Sequence, residues 1–90
     1  MRRLLIARRI VPLDLLDEYL AAWNRLVEEA GTIGVRAWLF RGVGHEDHFT
    51  EFLEWDGSAT SVAESGPLPN TRAALDAFGH AHIEALEEAT

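Results

Sequence analysis

The stretch VRAWLFRGVGHEDHFTEFLEW, residues 35–55, decides the fold because it contains two strand patterns joined by turn residues. Residues 35–41, VRAWLFR, and residues 48–55, HFTEFLEW, are rich in the apolar and aromatic residues that favour strands. Between them, GVGHED supplies glycines and short polar side chains that suit a turn. The sequence therefore predicts an antiparallel hairpin.

The register of this hairpin determines which side chains share a face. If Arg41 lies opposite His48, the face with most of the aromatic residues contains Arg36, Trp38, Phe40, Phe49, Glu51, Leu53 and Trp55. The opposite face then contains Val35, Ala37, Leu39, Thr50 and Phe52. A slip of one residue would exchange the two faces for one strand, because side chains alternate along a strand.

A helix is predicted upstream of the hairpin, over residues 14–30. Asp14 is a suitable N-cap, Asp17 and Glu18 suit the positive end of the helix dipole, and Gly31 suits the helix end. Apolar residues at spacings of three and four predict one broad buried stripe. Its members are Leu15, Leu16, Tyr19, Leu20, Trp23, Leu26, Val27 and Ala30.

Further upstream, residues 3–11, RLLIARRIV, predict a first strand that ends before Pro12. Both of its faces begin apolar, which is typical of a strand that is buried on two sides or pairs with another chain. Arg8 and Arg9 are adjacent and therefore point to opposite faces. One should face solvent or a partner, and the other requires an acidic residue.

Downstream of the hairpin, residues 56–69 are rich in glycine, serine and proline and predict irregular structure, with one helical turn around residues 60–64. A last helix is predicted from Asn70 or Thr71 to about residue 88. Its apolar stripe would contain Leu75, Phe78, His82, Leu86 and Ala89. Asp76, His80 and Glu84 would lie away from that stripe. The order β-α-β-β-α predicts one α+β ferredoxin-like domain, residues 1–90, with an antiparallel sheet that lacks the usual fourth strand.

Composition excludes several classes of protein. The 90 residues contain no cysteine, so disulfides and thiolate metal sites are excluded. The net charge is -7. Residues 1–44 contribute +2, from seven arginines and five acids, and residues 45–90 contribute -9, from one arginine and ten acids. This negative charge disfavours nucleic-acid binding. The sequence shows neither a membrane-spanning run nor the apolar core of a signal peptide, so a cytoplasmic location is expected.

The pattern resembles the dimeric α/β-barrel superfamily, and within it the antibiotic-biosynthesis-monooxygenase-like proteins. The resembling pieces are RRLLIARRIV, LDLLDEYLAAWNRLVEEAG and the hairpin that ends in HFTEFLEW. The resemblance implies a homodimer whose two sheets face each other and enclose a cavity. It also implies activities such as cofactor-free oxygenation, isomerisation or haem degradation. His82 and Trp55 are similar to a pair in haem-degrading members, but the first strand lacks their asparagine.

The candidate catalytic residues are His82 and Arg36, and the candidate ligand-binding residues are Trp38, Phe40, Glu51 and Trp55. His82 would be either a general base facing a cavity or a hydrogen-bonded core histidine. Arg36 and Glu51 with the three aromatic residues would form either a pocket for a small organic ligand or a dimer interface with a salt bridge.

Two patterns have weaker chemical implications. His45 and His48, with Glu46 and Asp47 between them, would form either a surface metal site or a solvated turn, and we assign no metal there. Asp76, His80 and Glu84 would share a helix face that is more typical of a solvated surface.

Two functions remain in competition. One is a small-molecule-binding protein, whose more specific form is a cofactor-independent monooxygenase-like enzyme for an apolar or aromatic compound, with His82 as base and Arg36 orienting an oxygen atom. The other is a non-catalytic dimerisation or accessory module whose aromatic sheet face is a subunit interface. Either requires a homodimer or higher assembly, and neither requires a cofactor, a nucleic acid or a membrane.

Overall fold

The computed structural model describes residues 1–59, 62–63 and 65–90, so most of the helical turn expected around residues 60–64 lies outside the described residues. Short 3-10 turns at Leu13–Leu15 and Leu75–Phe78 flank the main elements. Those elements, in chain order, are β1 (Arg2–Ile10), α1 (Leu16–Thr32), β2 (Arg36–Gly42), β3 (His45–Asp56), α2 (Pro69–Ala74) and β4 (Ala81–Glu87).

The described residues form a four-stranded antiparallel sheet with the strand order β2-β3-β1-β4. The helices α1 and α2 lie on one face of it, which gives the α+β ferredoxin-like fold that was expected. None of the described helices is long and apolar enough to cross a membrane.

The prediction of a long last helix without a fourth strand is wrong. Helical structure stops at Phe78, and Gly79 has a φ of 149°, a conformation that favours glycine. A Cβ at this position would collide with the carbonyl oxygen of Ile10. Residues 81–87 then pair with residues 3–9 of β1. The Ala, Glu and Leu residues here favour a helix locally, but pairing with the open edge of β1 outweighs that preference.

This correction also moves the side chains that were placed on the helix. His82 lies on the edge strand β4 and is exposed, so it is neither on a helical stripe nor in the core. Asp76 lies in the 3-10 turn and Glu84 lies in β4, so they do not share a helix face with His80.

The hydrophobic core lies between α1 and the sheet face that the helices cover, which we call the closed face. Leu5 of β1 and Phe49 and Leu53 of β3 pack against the buried residues of α1, most of which its spacing predicted. Val27 was predicted on this stripe but is exposed. Asp14 does not cap this helix, because it lies in the preceding 3-10 turn and α1 starts at Leu16. The helix also passes Gly31 and ends at Thr32.

The hairpin prediction is confirmed, but the predicted register is wrong by one residue. Arg41 lies opposite Phe49, not His48, and an irregularity between Arg41 and Gly42 absorbs the extra residues of β3. Arg36, Trp38 and Phe40 therefore share the uncovered face with the β3 residues Thr50, Phe52 and Glu54. We call this second face, which no described helix covers, the open face.

Candidate functional site

A buried ion pair stands at the centre of the closed face. Arg9 of β1 is 4% exposed and Glu51 of β3 is 5% exposed. The Nε atom of Arg9 donates to Oε2 of Glu51 at 3.0 Å, and Nη2 donates to Oε1 at 3.3 Å. This forked geometry offsets the cost of removing both charges from water. It also confirms that one of the two adjacent arginines requires an acidic partner.

Tyr19 extends the pair into α1. Its hydroxyl group donates to Oε2 of Glu51 at 2.5 Å, and its ring is fully buried between Phe49 and Phe78. Burial and the negative charge of Glu51 raise the pKa of Tyr19 far above its ordinary value. The phenol therefore stays protonated and serves as a fixed hydrogen-bond donor.

The remaining donor of Arg9 fixes the segment between α2 and β4. Its Nη1 atom donates to the Leu75 carbonyl and to Oδ1 of Asp76, each at 3.0 Å, and also to the Gly79 carbonyl. Burial disfavours the charge of Arg9, but the hydrogen bonds and charges of its carboxylate partners outweigh burial and raise its pKa. Arg9 thus holds three elements around one permanent positive charge.

Next to this network is a pocket of about 160 Å³ between the sheet and α2. It exists partly because Ala7, which lies between Glu51 and Ile83 in the sheet, has a small side chain. The strands contribute both apolar side chains and the charged pair of Arg9 and Glu51, and the helical segment adds the charges of Arg72 and Asp76. The lining residues are Leu5, Ala7, Arg9, Glu51, Pro69, Arg72, Ala73, Asp76 and Ile83.

Arg72 and Asp76 provide the accessible charges of the pocket. Arg72 donates to the Pro67 carbonyl at 2.6 Å and to the Ser65 carbonyl at 2.8 Å, which fixes its position. Burial lowers the pKa of Arg72, and the charge of Asp76 partly opposes this. Asp76 is 60% exposed at its side chain, and only its Oδ1 atom accepts a hydrogen bond from a described residue. Its Oδ2 atom accepts no hydrogen bond from a described residue.

The structure separates the site residues predicted from the sequence. Arg36, Trp38 and Phe40 do lie together on the open face, with the Arg36 guanidinium 5.5 Å from the Trp38 ring centre. Glu51 and Trp55 lie on the closed face, so the predicted pairing of Arg36 with Glu51 is wrong. Arg36 instead approaches Glu54, at 3.6 Å.

His82 is distant from all of these residues. It lies on β4, whereas Arg36 lies on β2, and these are the two edges of the sheet. Three strand spacings, roughly 14 Å in total, separate their backbones. In the strand register Arg36 is level with Leu86 and not with His82, so the structure does not bring the two residues together. Trp55 and His82 lie on opposite faces, which also separates the pair that resembled haem-degrading proteins.

Sequence reasoning missed the roles of Arg9, Tyr19, Arg72 and Asp76. The hydroxyl of Tyr19 within an apolar helical stripe was the available signal, since a buried hydroxyl requires a partner. His45 and His48 stack with ring centres 4.7 Å apart. Among the described residues, no three His, Cys, Asp or Glu side chains are grouped as a metal ion would require.

Comparison with known proteins yields solved structures but no sequence relatives. No family model matches the sequence, and no curated protein matches it significantly. SnoaB, a cofactor-independent oxygenase from Streptomyces nogalater, is 17% identical with a TM-score of 0.78, and the match covers 99% of this chain and 94% of that one. The chain shares the fold of the antibiotic biosynthesis monooxygenase-like proteins.

Two further structures have this monooxygenase-like fold. A conserved protein from Methanosarcina mazei Go1 is 14% identical with a TM-score of 0.79, over 98% of this chain and 93% of that one. A protein described as an antibiotic biosynthesis monooxygenase is 18% identical with a TM-score of 0.71, over the whole of both chains. The expected ferredoxin-like resemblance is therefore confirmed, and it includes the fourth strand.

Proposed function

We propose that this chain binds a small aromatic or apolar compound in the pocket between the sheet and α2, and that it oxidises this compound as a cofactor-independent monooxygenase-like enzyme. The observation that carries the proposal is a pocket that combines apolar side chains with charged groups fixed by hydrogen bonds. Such pockets are typical of small-molecule sites. Its volume of about 160 Å³ favours a ligand of one or two rings.

The wall residues suit a reaction that begins with loss of a proton from the substrate. Oδ2 of Asp76 accepts the proton, and the guanidinium groups of Arg9 and Arg72 stabilise the resulting anion. The anion then supplies electrons to molecular oxygen. For an activated methylene group the balance is R₂CH₂ + O₂ → R₂C=O + H₂O, so the substrate provides every electron and no external reductant is needed. The chemistry named for SnoaB, oxygenation without a cofactor, supports this class of reaction.

Binding is tested with 1-naphthol, a two-ring phenol, by following backbone amide signals in NMR spectra. Signals of Leu5, Ala7 and Ile83 should shift, and those of Trp38 and Phe40 should not. Ala7→Leu should fill the pocket and weaken binding by at least about tenfold. The matched control is Ala85→Leu, which adds the same volume at an exposed position on the same face. Shifts confined to Trp38 and Phe40 would place binding on the open face and contradict the proposal.

Oxidation is tested by oxygen uptake with indane-1,3-dione, a two-ring diketone with an activated methylene group. Asp76→Asn keeps the shape of the side chain but removes the base, so uptake should fall by about a hundredfold. The roles of His82 and Arg36 remain predictions, and His82→Gln and Arg36→Gln are the comparison variants. If His82→Gln abolished uptake while Asp76→Asn left it unchanged, the base would be His82 and not Asp76.

A second function, subunit association through the open face, is favoured by a different observation. Trp38 is 38% exposed and Phe40 is 58% exposed, and the Phe40 ring packs against Phe52 at 5.5 Å. Neighbouring exposed aromatic rings mark interaction surfaces. We propose a homodimer that buries them. Sedimentation at micromolar concentration should show a dimer that Phe40→Asp dissociates, and a wild-type species of 10.0 kDa would contradict it.

A further inference from the structure

Two neighbouring cavities lie on the closed face, and Arg72 lines both of them. The first is the pocket of about 160 Å³ between the sheet and α2. The second is a void of about 10 Å³ under α1, and its lining includes the apolar residues Trp23, Leu26 and Leu53. Such a void holds at most about one water molecule, so it takes no part of a ligand while it stays closed.

The residues that line both cavities show what separates them. Leu5, Ala7 and Glu51 are shared, and they belong to β1 and β3, so the sheet forms a common floor. Among the described residues, Arg72 is the only shared residue that comes from the helices above this floor. Its side chain therefore stands where the pocket would otherwise continue under α1.

The loop before α2 holds the guanidinium group of Arg72 in this position. Its Nε atom donates to the Pro67 carbonyl at 2.6 Å, and Nη2 donates to the Ser65 carbonyl at 2.8 Å. Gly66 lies between these two acceptors with a φ of 95°, and a Cβ at this residue would be 3.3 Å from Nη2. The lack of a side chain at residue 66 thus leaves room for the guanidinium group.

Displacing Arg72 would break more than one interaction of this loop. The Arg72 backbone N–H donates to the carbonyl of Leu68 at 2.9 Å, and Leu68 has a φ of 50°, which is unfavourable for a residue with a Cβ. Such a conformation persists only where the surrounding structure holds it. Pro67 is fully buried, so loss of the Arg72 side chain from its carbonyl would be costly. Arg72 is therefore a fixed wall of the pocket.

We propose that Arg72 is the specificity-determining residue of the pocket, because it closes the inner end and limits ligands to two fused rings. The proposal rests on the proposed function, in which this pocket binds an aromatic or apolar compound. A wall fixed by hydrogen bonds cannot give way to a third ring, so it discriminates by size. With a smaller residue at position 72, a third ring would extend under α1 and contact Trp23, Leu26 and Leu53, whose apolar surfaces favour it.

The test compares 1-naphthol with 9-phenanthrol, which carries the same phenolic group on three fused rings, in NMR titrations of the full chain. Wild type should bind 1-naphthol at least about tenfold more tightly. Arg72→Ala should abolish this preference, and 9-phenanthrol should then shift the signals of Trp23 and Leu26. The ratio of the two affinities is the readout, because a general weakening of the pocket would affect both ligands alike.

Arg25→Ala is the matched control, since it makes the same replacement at an exposed position on α1 and should keep the ratio within about twofold of wild type. Arg72→Met keeps the test valid if Arg72→Ala fails to fold. Methionine is unbranched and flexible, and no loop carbonyl fixes it, so a ligand can displace it and the preference should fall by a smaller factor. Backbone NMR spectra verify that each variant is folded.

A wild-type preference that persists in the folded Arg72 variants would overturn this proposal alone, provided that 1-naphthol still shifts the signals of Ala7 and Ile83. A shift of the Trp23 indole signal by 9-phenanthrol in wild type would also overturn it, because the void would then be open with Arg72 in place. If neither ligand shifts the signal of Ala7 in any variant, the pocket binds no such compound, and both the proposed function and this proposal are wrong.

Discussion

The same four strands form the closed and open faces of the sheet, yet the faces differ in the burial of their charged side chains. On the closed face Arg9 and Glu51 are buried and paired, and no buried side-chain nitrogen or oxygen of the described residues lacks a partner. On the open face Arg8 is exposed and unpaired while Phe40 is 58% exposed. The comparison shows that α1 and α2 impose pairing on one face and leave the other free to contact ligands or subunits.

The largest effect should come from breaking the buried pair of the closed face. Glu51→Leu leaves the Arg9 guanidinium without its carboxylate, and we expect a loss of about 3–5 kcal/mol in the free energy of unfolding. Urea denaturation measures it. The double variant Arg9→Met with Glu51→Leu should lose less than Glu51→Leu alone, because no charge is then stranded. A double variant as unstable as the single one would show that the pair is not the cause.

The next effect tests whether the turn at Gly79 is needed to bring β4 to the edge of β1. Gly79→Ala places a Cβ against the Ile10 carbonyl at a φ of 149°, and a loss of about 2–3 kcal/mol is expected. Gly31→Ala is the control, because no atom lies within 4 Å of its added Cβ and the position is helical. Thermal unfolding should show a lower Tm for the first variant and an equal or higher Tm for the second. Similar Tm values would contradict the described turn.

Tyr19→Phe should have a smaller effect, about 1–2 kcal/mol, because it removes one hydrogen bond to Glu51. The raised pKa of Tyr19 also predicts how the stability of the fold changes in alkaline solution. The unfolded chain loses the phenol proton near pH 10, whereas the folded chain retains it, so stability conferred by this group is present below about pH 10 and declines above it. Tyr19 is the only tyrosine in the sequence, so ultraviolet absorbance follows it directly. Tyrosinate formation near pH 10 in the folded protein would contradict burial of the hydroxyl.

The smallest effect is expected on the open face. Arg36→Gln removes a pair whose atoms are 3.6 Å apart, with an Arg36 side chain that is 72% exposed. Solvent screening limits its contribution, so unfolding in urea should change by no more than about 0.5 kcal/mol. A change as large as that of Glu51→Leu would remove the contrast between the two faces.

Patterns within short stretches of the sequence predicted several helices and strands and the need of one arginine for an acidic partner. The apolar spacing of α1 predicted its buried stripe, and the strands and turn of the hairpin were predicted because their signals lie within a few residues. The adjacent charges of Arg8 and Arg9 predicted that one of them requires an acid. The acid itself, Glu51, was not predicted as the partner, because the pairing of β1 with β3 joins residues 42 positions apart.

The remaining features depended on interactions distant in sequence. The observed register differs by one residue from the predicted register, which places Glu51 and Trp55 on the face opposite Arg36. An irregularity at Arg41 causes this difference, and the turn sequence does not specify it. Residues 81–87 have helical propensity and still form a strand, because the edge of β1 offers backbone partners that an isolated helix cannot.

The sequence by itself determined the α+β class, the buried stripe of α1, the hairpin and the need of one arginine for a carboxylate. Each of these follows from alternation, helical spacing or the cost of burying a charge. Only the tertiary structure decided that β4 exists and that Arg9, Glu51, Tyr19 and Asp76 meet beside a pocket. These contacts arise from strand pairing and helix packing, whose free energy depends on partners that no local segment contains.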